Sequence, residues 1–184
     1  MRRFPALLLL FALVMPGSTA RVPDLTITGS SPDDLRALIV ATWDRFVEAF
    51  PARRSCLAPV TVQGAWELDD RGSYDPGRRL VTVRIPGTAP NLRDSLVHEF
   101  AHHMEFTCPE QHDVRVPFLV AQALPRSASW FEGSSWETTP SEQFAEAVVQ
   151  VVSGPPAHPA VLILPRSVAL LRAWGRATDL RHGS

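Results

Sequence analysis

Residues 95–104 read SLVHEFAHHM and hold three of the chain's six histidines together with Glu99. On a helix, His98 and His102 stand one turn apart on one face, and both imidazoles can reach a single ion at about 2.0–2.1 Å. Glu99 is turned by about 100° from His98, so its carboxylate can reach a water at that ion without being a ligand. Ala101 keeps the helix slim where other structure must approach it. The apolar residues Leu92, Leu96, Val97, Phe100 and Met104 recur at helical spacing and predict a buried opposite face, with Asn91 as the cap. A solvated helix face that binds nothing has the same spacing, and the rest of the chain must decide between the two.

A catalytic zinc centre takes three protein ligands and a water, so the two histidines need a partner. In the pattern HExxHxxGxxH the third ligand follows on the same segment, but the corresponding positions here hold Glu105 and Cys108. Cys108 as a thiolate is one alternative, in direct competition with a disulfide to Cys56, the only other cysteine. The stretch SEQFAEAVV at 141–149 is a better one. Glu142 and Glu146 lie one turn apart on a helix whose Phe144, Val148 and Val151 face a core. A carboxylate from a second packed helix can complete the tetrahedron, and one a turn later can accept a hydrogen bond from a ligating histidine's other nitrogen. Thr139-Pro140-Ser141-Glu142 also matches a capping box, in which Glu142 serves the helix start. Asp94, one turn before His98, is an alternative outer partner, or else a first-turn acid that favours the helix start.

Taken together, HEFAH at 98–102 and EQFAE at 142–146 resemble the gluzincin class of zinc metallopeptidases, in particular its lethal-factor-type members with an ExFAE helix; the resemblance covers residues 78–152. It implies an α+β, zincin-like fold with a small antiparallel-containing sheet, an active-site helix and a C-terminal helical part. It implies zinc as cofactor, held by His98, His102 and Glu142, with Glu99 as general base, Glu146 as the acid behind the ligands, and a peptide or protein as substrate. It also implies that LVTVRI at 80–85 borders the cleft and offers a free edge to an extended peptide.

One departure from the family pattern stands out. Relatives often carry a tyrosine shortly before the third-ligand glutamate to stabilise the oxyanion, and here the residues are Ser134-Ser135-Trp136. Tyr74, His103 and His112 are the alternatives, none selected by spacing; their plainer readings are a turn-packing ring, an exposed helix residue and a loop residue. Trp130, Phe131 and Trp136 either line a pocket near Glu142 or anchor a loop. The departure also keeps open a catalytically silent module that uses the fold to bind a partner at the cell surface.

Residues 1–20 have the build of a secretory signal, with Arg2 and Arg3, an apolar run from Phe4 to Met15 and the small residues Ser18-Thr19-Ala20. The run is shorter than the roughly 20 apolar residues that cross a bilayer, so no stable membrane insertion is expected once the signal is removed. The expected mature chain, residues 21–184, is one exported domain. Loss of Arg2 and Arg3 leaves 16 basic residues against 19 acidic, a net charge of −3 with no lysine, which argues against a nucleic-acid partner. Export makes a Cys56–Cys108 disulfide the simpler use of the cysteine pair, worth roughly 3–4 kcal/mol on the chain-entropy account.

Outside the motifs, Ser31-Pro32-Asp33-Asp34 predicts a capped start for a helix that Pro51 ends. The valine-rich runs PVTVQGAWEL at 59–68 and RRLVTVRIP at 78–86 predict neighbouring antiparallel strands joined through the turn formers DDRGSYDPG. A looser stretch follows the motif helix, with a short apolar segment from Phe118 to Leu124. Helices are then expected over Pro140 to Val152 and Arg166 to Ala177.

Overall fold

In the computed structural model, residues 24–29, 31–156 and 159–177 are described, and the expected secretory signal lies outside them. The chain runs β1 (Leu25–Ile27), α1 (Asp33–Ala49), β2 (Val60–Ala65), β3 (Gly72–Asp75), β4 (Leu80–Arg84), α2 (Ala89–Thr107), α3 (Gln111–Ala121), α4 (Pro140–Val152) and α5 (Pro165–Arg176). The architecture is α+β, with a four-stranded mixed sheet in the order β1-β2-β4-β3 and a helical C-terminal part.

The two valine-rich runs are neighbours as expected, but β2 and β4 are parallel, Val62 opposite Val81. The expected antiparallel pair is replaced because DDRGSYDPG is not all turn. Its middle, Gly72–Asp75, forms β3, which lies beyond β4 and pairs antiparallel with it, Tyr74 opposite Val81. The tight turn comes later, where the Asp75 carboxylate accepts hydrogen bonds from the Arg78 backbone N–H at 3.0 Å and from its Nε at 2.7 Å. Tyr74 is therefore a strand residue rather than a turn residue. The strand bordering the cleft is β3, not LVTVRI, whose two edges are taken by β2 and β3.

The central element is α2. Leu96, Val97, Phe100 and Met104 are fully buried, as their helical spacing predicts, and Leu92 is half-buried. Phe100 meets Trp43 of α1 edge-on with ring centroids 4.9 Å apart and lies 5.6 Å from Phe46. On the other side, Phe144 of α4 makes edge-on contacts with Phe118 of α3, Trp130 and Trp174 of α5. Rings of this kind bury large apolar areas and fix geometry, so one continuous aromatic core sets the positions of all five helices. Ala101 and Ala145 are both fully buried and let α2 and α4 pack closely.

The helix starts differ in detail from expectation. α2 begins at Ala89 after Thr88, with Pro90 in its first turn, two residues before the expected cap Asn91. α1 follows Pro32, and Ser31 gives it no cap; instead Asp34 Oδ1 accepts the Leu35 N–H at 2.8 Å. α3 was hidden in the sequence by Pro117, which reads as a helix breaker yet sits inside this helix.

Cys56 and Cys108 form a disulfide with their Cα atoms 4.8 Å apart, which excludes the thiolate reading of Cys108. The bond ties the segment before β2 to the C-terminal end of α2. Closing 52 residues of chain is worth about 4 kcal/mol on the chain-entropy account. Replacing both cysteines by serine is expected to remove about that much unfolding free energy, seen in a urea titration as an earlier midpoint. Among the described residues, no helix is long and apolar enough to cross a membrane.

Candidate metal centre

α2 and α4 face each other across the floor of an open cleft of about 700 Å³, whose opposite wall is built by β3 and the segment before it. Helical geometry places His98 and His102 on one side of α2, and the packing of Phe144, Ala145 and Val148 into the core turns Glu142 and Glu146 toward them. His98 Nε2 lies 3.0 Å from Glu142 Oε2 and 3.2 Å from His102 Nε2, and His102 Nε2 lies 3.4 Å from the same carboxylate oxygen. Three donor atoms thus form a nearly equilateral triangle.

The triangle has the dimensions a metal requires. Donors placed about 2.0–2.1 Å from one zinc ion at tetrahedral angles lie about 3.3–3.4 Å from one another. His98, His102 and Glu142 therefore can hold a metal ion, and two imidazoles with one carboxylate are a donor set that suits zinc. The capping role of Glu142 is not used: Thr139 occupies the N-cap of α4 without a side-chain bond, and the carboxylate turns to the histidines.

Both histidines are held from behind. His98 Nδ1 lies 3.1 Å from Glu146 Oε1, the outer partner expected from the one-turn spacing, so Asp94 does not take that place. His102 Nδ1 lies 2.6 Å from Glu105 Oε2. Glu105 carries no exposed side-chain surface, and its carboxylate also accepts the Trp130 indole N–H at 2.7 Å and the Ser141 hydroxyl at 2.8 Å. With Nδ1 hydrogen-bonded to a carboxylate, Nε2 is the nitrogen left for a metal on both rings. Sequence reasoning missed this role of Glu105. Its position three residues after His102, on the same helix face, was the available signal.

Exchanging Glu105 for glutamine keeps its shape but sets an amide N–H against one of three donors. Glu105→Gln is expected to weaken metal affinity about 10–100-fold, measured by competition with a chromophoric chelator, while circular dichroism reports an intact fold.

The electrostatics follow the same contacts. Burial opposes the charged form of His102, but the hydrogen bonds to Glu105 and Glu142 outweigh it and raise the imidazole to about 10. Burial likewise opposes ionisation of Glu142, and its bonds to His102 and His98 reverse this and hold the carboxyl well below the ordinary range. A cation at the centre of the triangle takes over the attraction that protons otherwise satisfy.

Glu99 opens on the same cleft, 6% exposed, on the side of α2 that faces β3. Burial raises its carboxyl above the usual value, with His98 and His102 pulling it back. It is accommodated by Gly72, where a Cβ would stand 2.7 Å from Glu99 Oε1. A side chain at position 72 would push the Glu99 carboxylate from this place.

The remaining aromatic and imidazole residues sort by position. Trp136 stacks on His98 with ring centroids 5.9 Å apart, and Phe131 stacks on Phe106, so these rings line the cleft. Trp130 belongs to the core. His103 is not exposed, as its place on α2 suggested, but fully buried; burial lowers its pKa to about 4. His112 is exposed on α3 and is not among the residues lining the cleft.

No protein-family model, no curated protein and no solved structure matches this chain.

Proposed function

We propose that this protein is a zinc-dependent peptidase of the gluzincin type, in which Glu99 is the general base. The observation that carries the reading is the convergence of His98 Nε2, His102 Nε2 and Glu142 Oε2 to separations of 3.0–3.4 Å, beside a buried carboxylate in one open cleft. Zinc held by these residues supplies Lewis acidity toward a carbonyl and lowers the pKa of water toward about 7. Glu99 takes a proton from the attacking water as its oxygen bonds to the carbonyl carbon. It returns that proton to the nitrogen as the C–N bond breaks. Glu146 and Glu105 keep the imidazoles in the tautomer that presents Nε2 to the metal. Support for peptide bonds as substrate comes from the HEFAH and EQFAE resemblance together with an open cleft bordered by an edge strand. The disulfide is compatible with an extracytoplasmic location, in keeping with the proposed secretion.

Purified protein is expected to contain about one zinc per chain on this coordination scheme and to cleave members of a broad peptide library. Treatment with a chelator should abolish cleavage, and added zinc should restore it. Elemental analysis that finds no metal after growth in zinc-replete medium, or a zinc-loaded protein inert toward the whole library, refutes the peptidase. The inert but zinc-loaded outcome favours a second reading, a silent partner-binding module. That reading is motivated by the absence of a tyrosine at Ser134-Ser135-Trp136.

A further inference from the structure

We infer that Arg71 is a catalytic residue whose guanidinium meets the oxyanion formed at the scissile carbonyl. The inference rests on the proposed peptide hydrolysis. When the water oxygen bonds to the carbonyl carbon, the π electron pair moves onto the carbonyl oxygen, and a donor aimed at that oxygen lowers the barrier.

Most donors around the cleft are already committed. The Tyr74 hydroxyl lies 3.0 Å from His103 Nδ1, and His103 Nε2 lies 2.9 Å from the Ala58 carbonyl oxygen. A carbonyl only accepts, so Nε2 carries the proton, Nδ1 is the acceptor and the Tyr74 O–H donates into it. The phenol is thus turned toward the buried His103. Ser141 donates to Glu105, and Arg84 Nη1 donates to the Asp69 carbonyl at 3.2 Å.

Arg71 differs from all of these. Its backbone is pinned next to β3, its carbonyl accepting the Arg84 N–H at 3.0 Å. Its side chain lines the cleft and is 56% exposed. Nη2 lies 3.7 Å from Glu146 Oε1, near enough for charge attraction yet beyond hydrogen-bond length. Among the described residues the guanidinium makes no hydrogen bond, so its N–H groups are available to a substrate. Arg71 immediately precedes Gly72, which packs against Glu99, so its side chain enters the cleft between that carboxylate and Glu146. A planar, permanently charged fork suits an oxyanion that appears only in the transition state.

The test uses the zinc-loaded full chain as wild type, Arg71→Ala, Arg71→Lys and Trp136→Phe. Zinc content, kcat and KM on one cleaved peptide, and calorimetric affinity for the phosphinic analogue of that peptide are measured. Arg71→Ala is expected to retain zinc and to lose about 10²–10³-fold in kcat with KM nearly unchanged. Its affinity for the tetrahedral phosphinate should fall in parallel, and Arg71→Lys should recover part of both. Unchanged kcat and phosphinate affinity in Arg71→Ala overturn the inference while leaving the peptidase standing. Loss of zinc in that variant also overturns it, since Arg71 would then serve Glu146. A comparable loss confined to Trp136→Phe with zinc retained, a change that removes the indole N–H and leaves a smaller ring beside His98, assigns the role to Trp136 instead. A wild type that cleaves nothing sinks the peptidase, and the inference with it.

Discussion

Glu99→Gln is expected to bind zinc as the wild type does and to lose about 10²–10⁴-fold in turnover. The substitution keeps the volume of a side chain packed against Gly72, where little room exists for change. Glutamine also leaves the donor triangle alone, because Glu99 is directed to the β3 side of α2 and makes none of the bonds that position His98, His102 or Glu142. What it removes is the capacity to accept and return a proton. Rates on the best library peptide, normalised to zinc measured in the same sample, distinguish this from loss of metal. Turnover close to wild type in a zinc-loaded Glu99→Gln protein would show that another group is the base.

The second large effect concerns the metal itself. Glu142→Ala and His102→Ala each delete one corner of the triangle and are expected to lower zinc affinity by more than the about 10–100-fold that loss of an outer carboxylate costs. The contrast with Glu146→Gln is the informative part. Glu146 touches His98 Nδ1 and not the triangle, so its substitution should fall within that smaller range. Affinities from chelator competition on all three variants therefore rank ligands above supporting residues. Equal affinities for wild type and Glu142→Ala would remove α4 from the coordination sphere and leave only two protein donors.

The parts of the site set by helix periodicity were legible before any coordinates. His98 with His102, and Glu142 with Glu146, are pairs four residues apart, and a helix turns each pair to one side. The core face of α2 and the cysteine pair followed from equally local or compositional rules. Legibility stopped where a residue's role depends on remote segments. Glu105 is three residues from His102, yet only the arrival of Trp130 and Ser141 makes it a buried, fully bonded carboxylate. His103 looked exposed because α2 continues past the cleft, and Tyr74 from β3 together with the Ala58 carbonyl cover it. β3 went unseen for a different reason. Four residues that include Gly72, Ser73 and Asp75 have poor strand propensity, and the hydrogen bonds of β4 create the strand. With β3 hidden, the parallel relation of β2 and β4 could not be inferred.

The clearance at Gly72 has a consequence for any sequence built on the same plan. The outermost strand passes so close to the Glu99 carboxylate that a methyl group at position 72 would meet it. A chain with alanine there must either withdraw its acid or let the strand drift outward. The residue at this one position thus bears on how deeply the Glu99 carboxylate is seated.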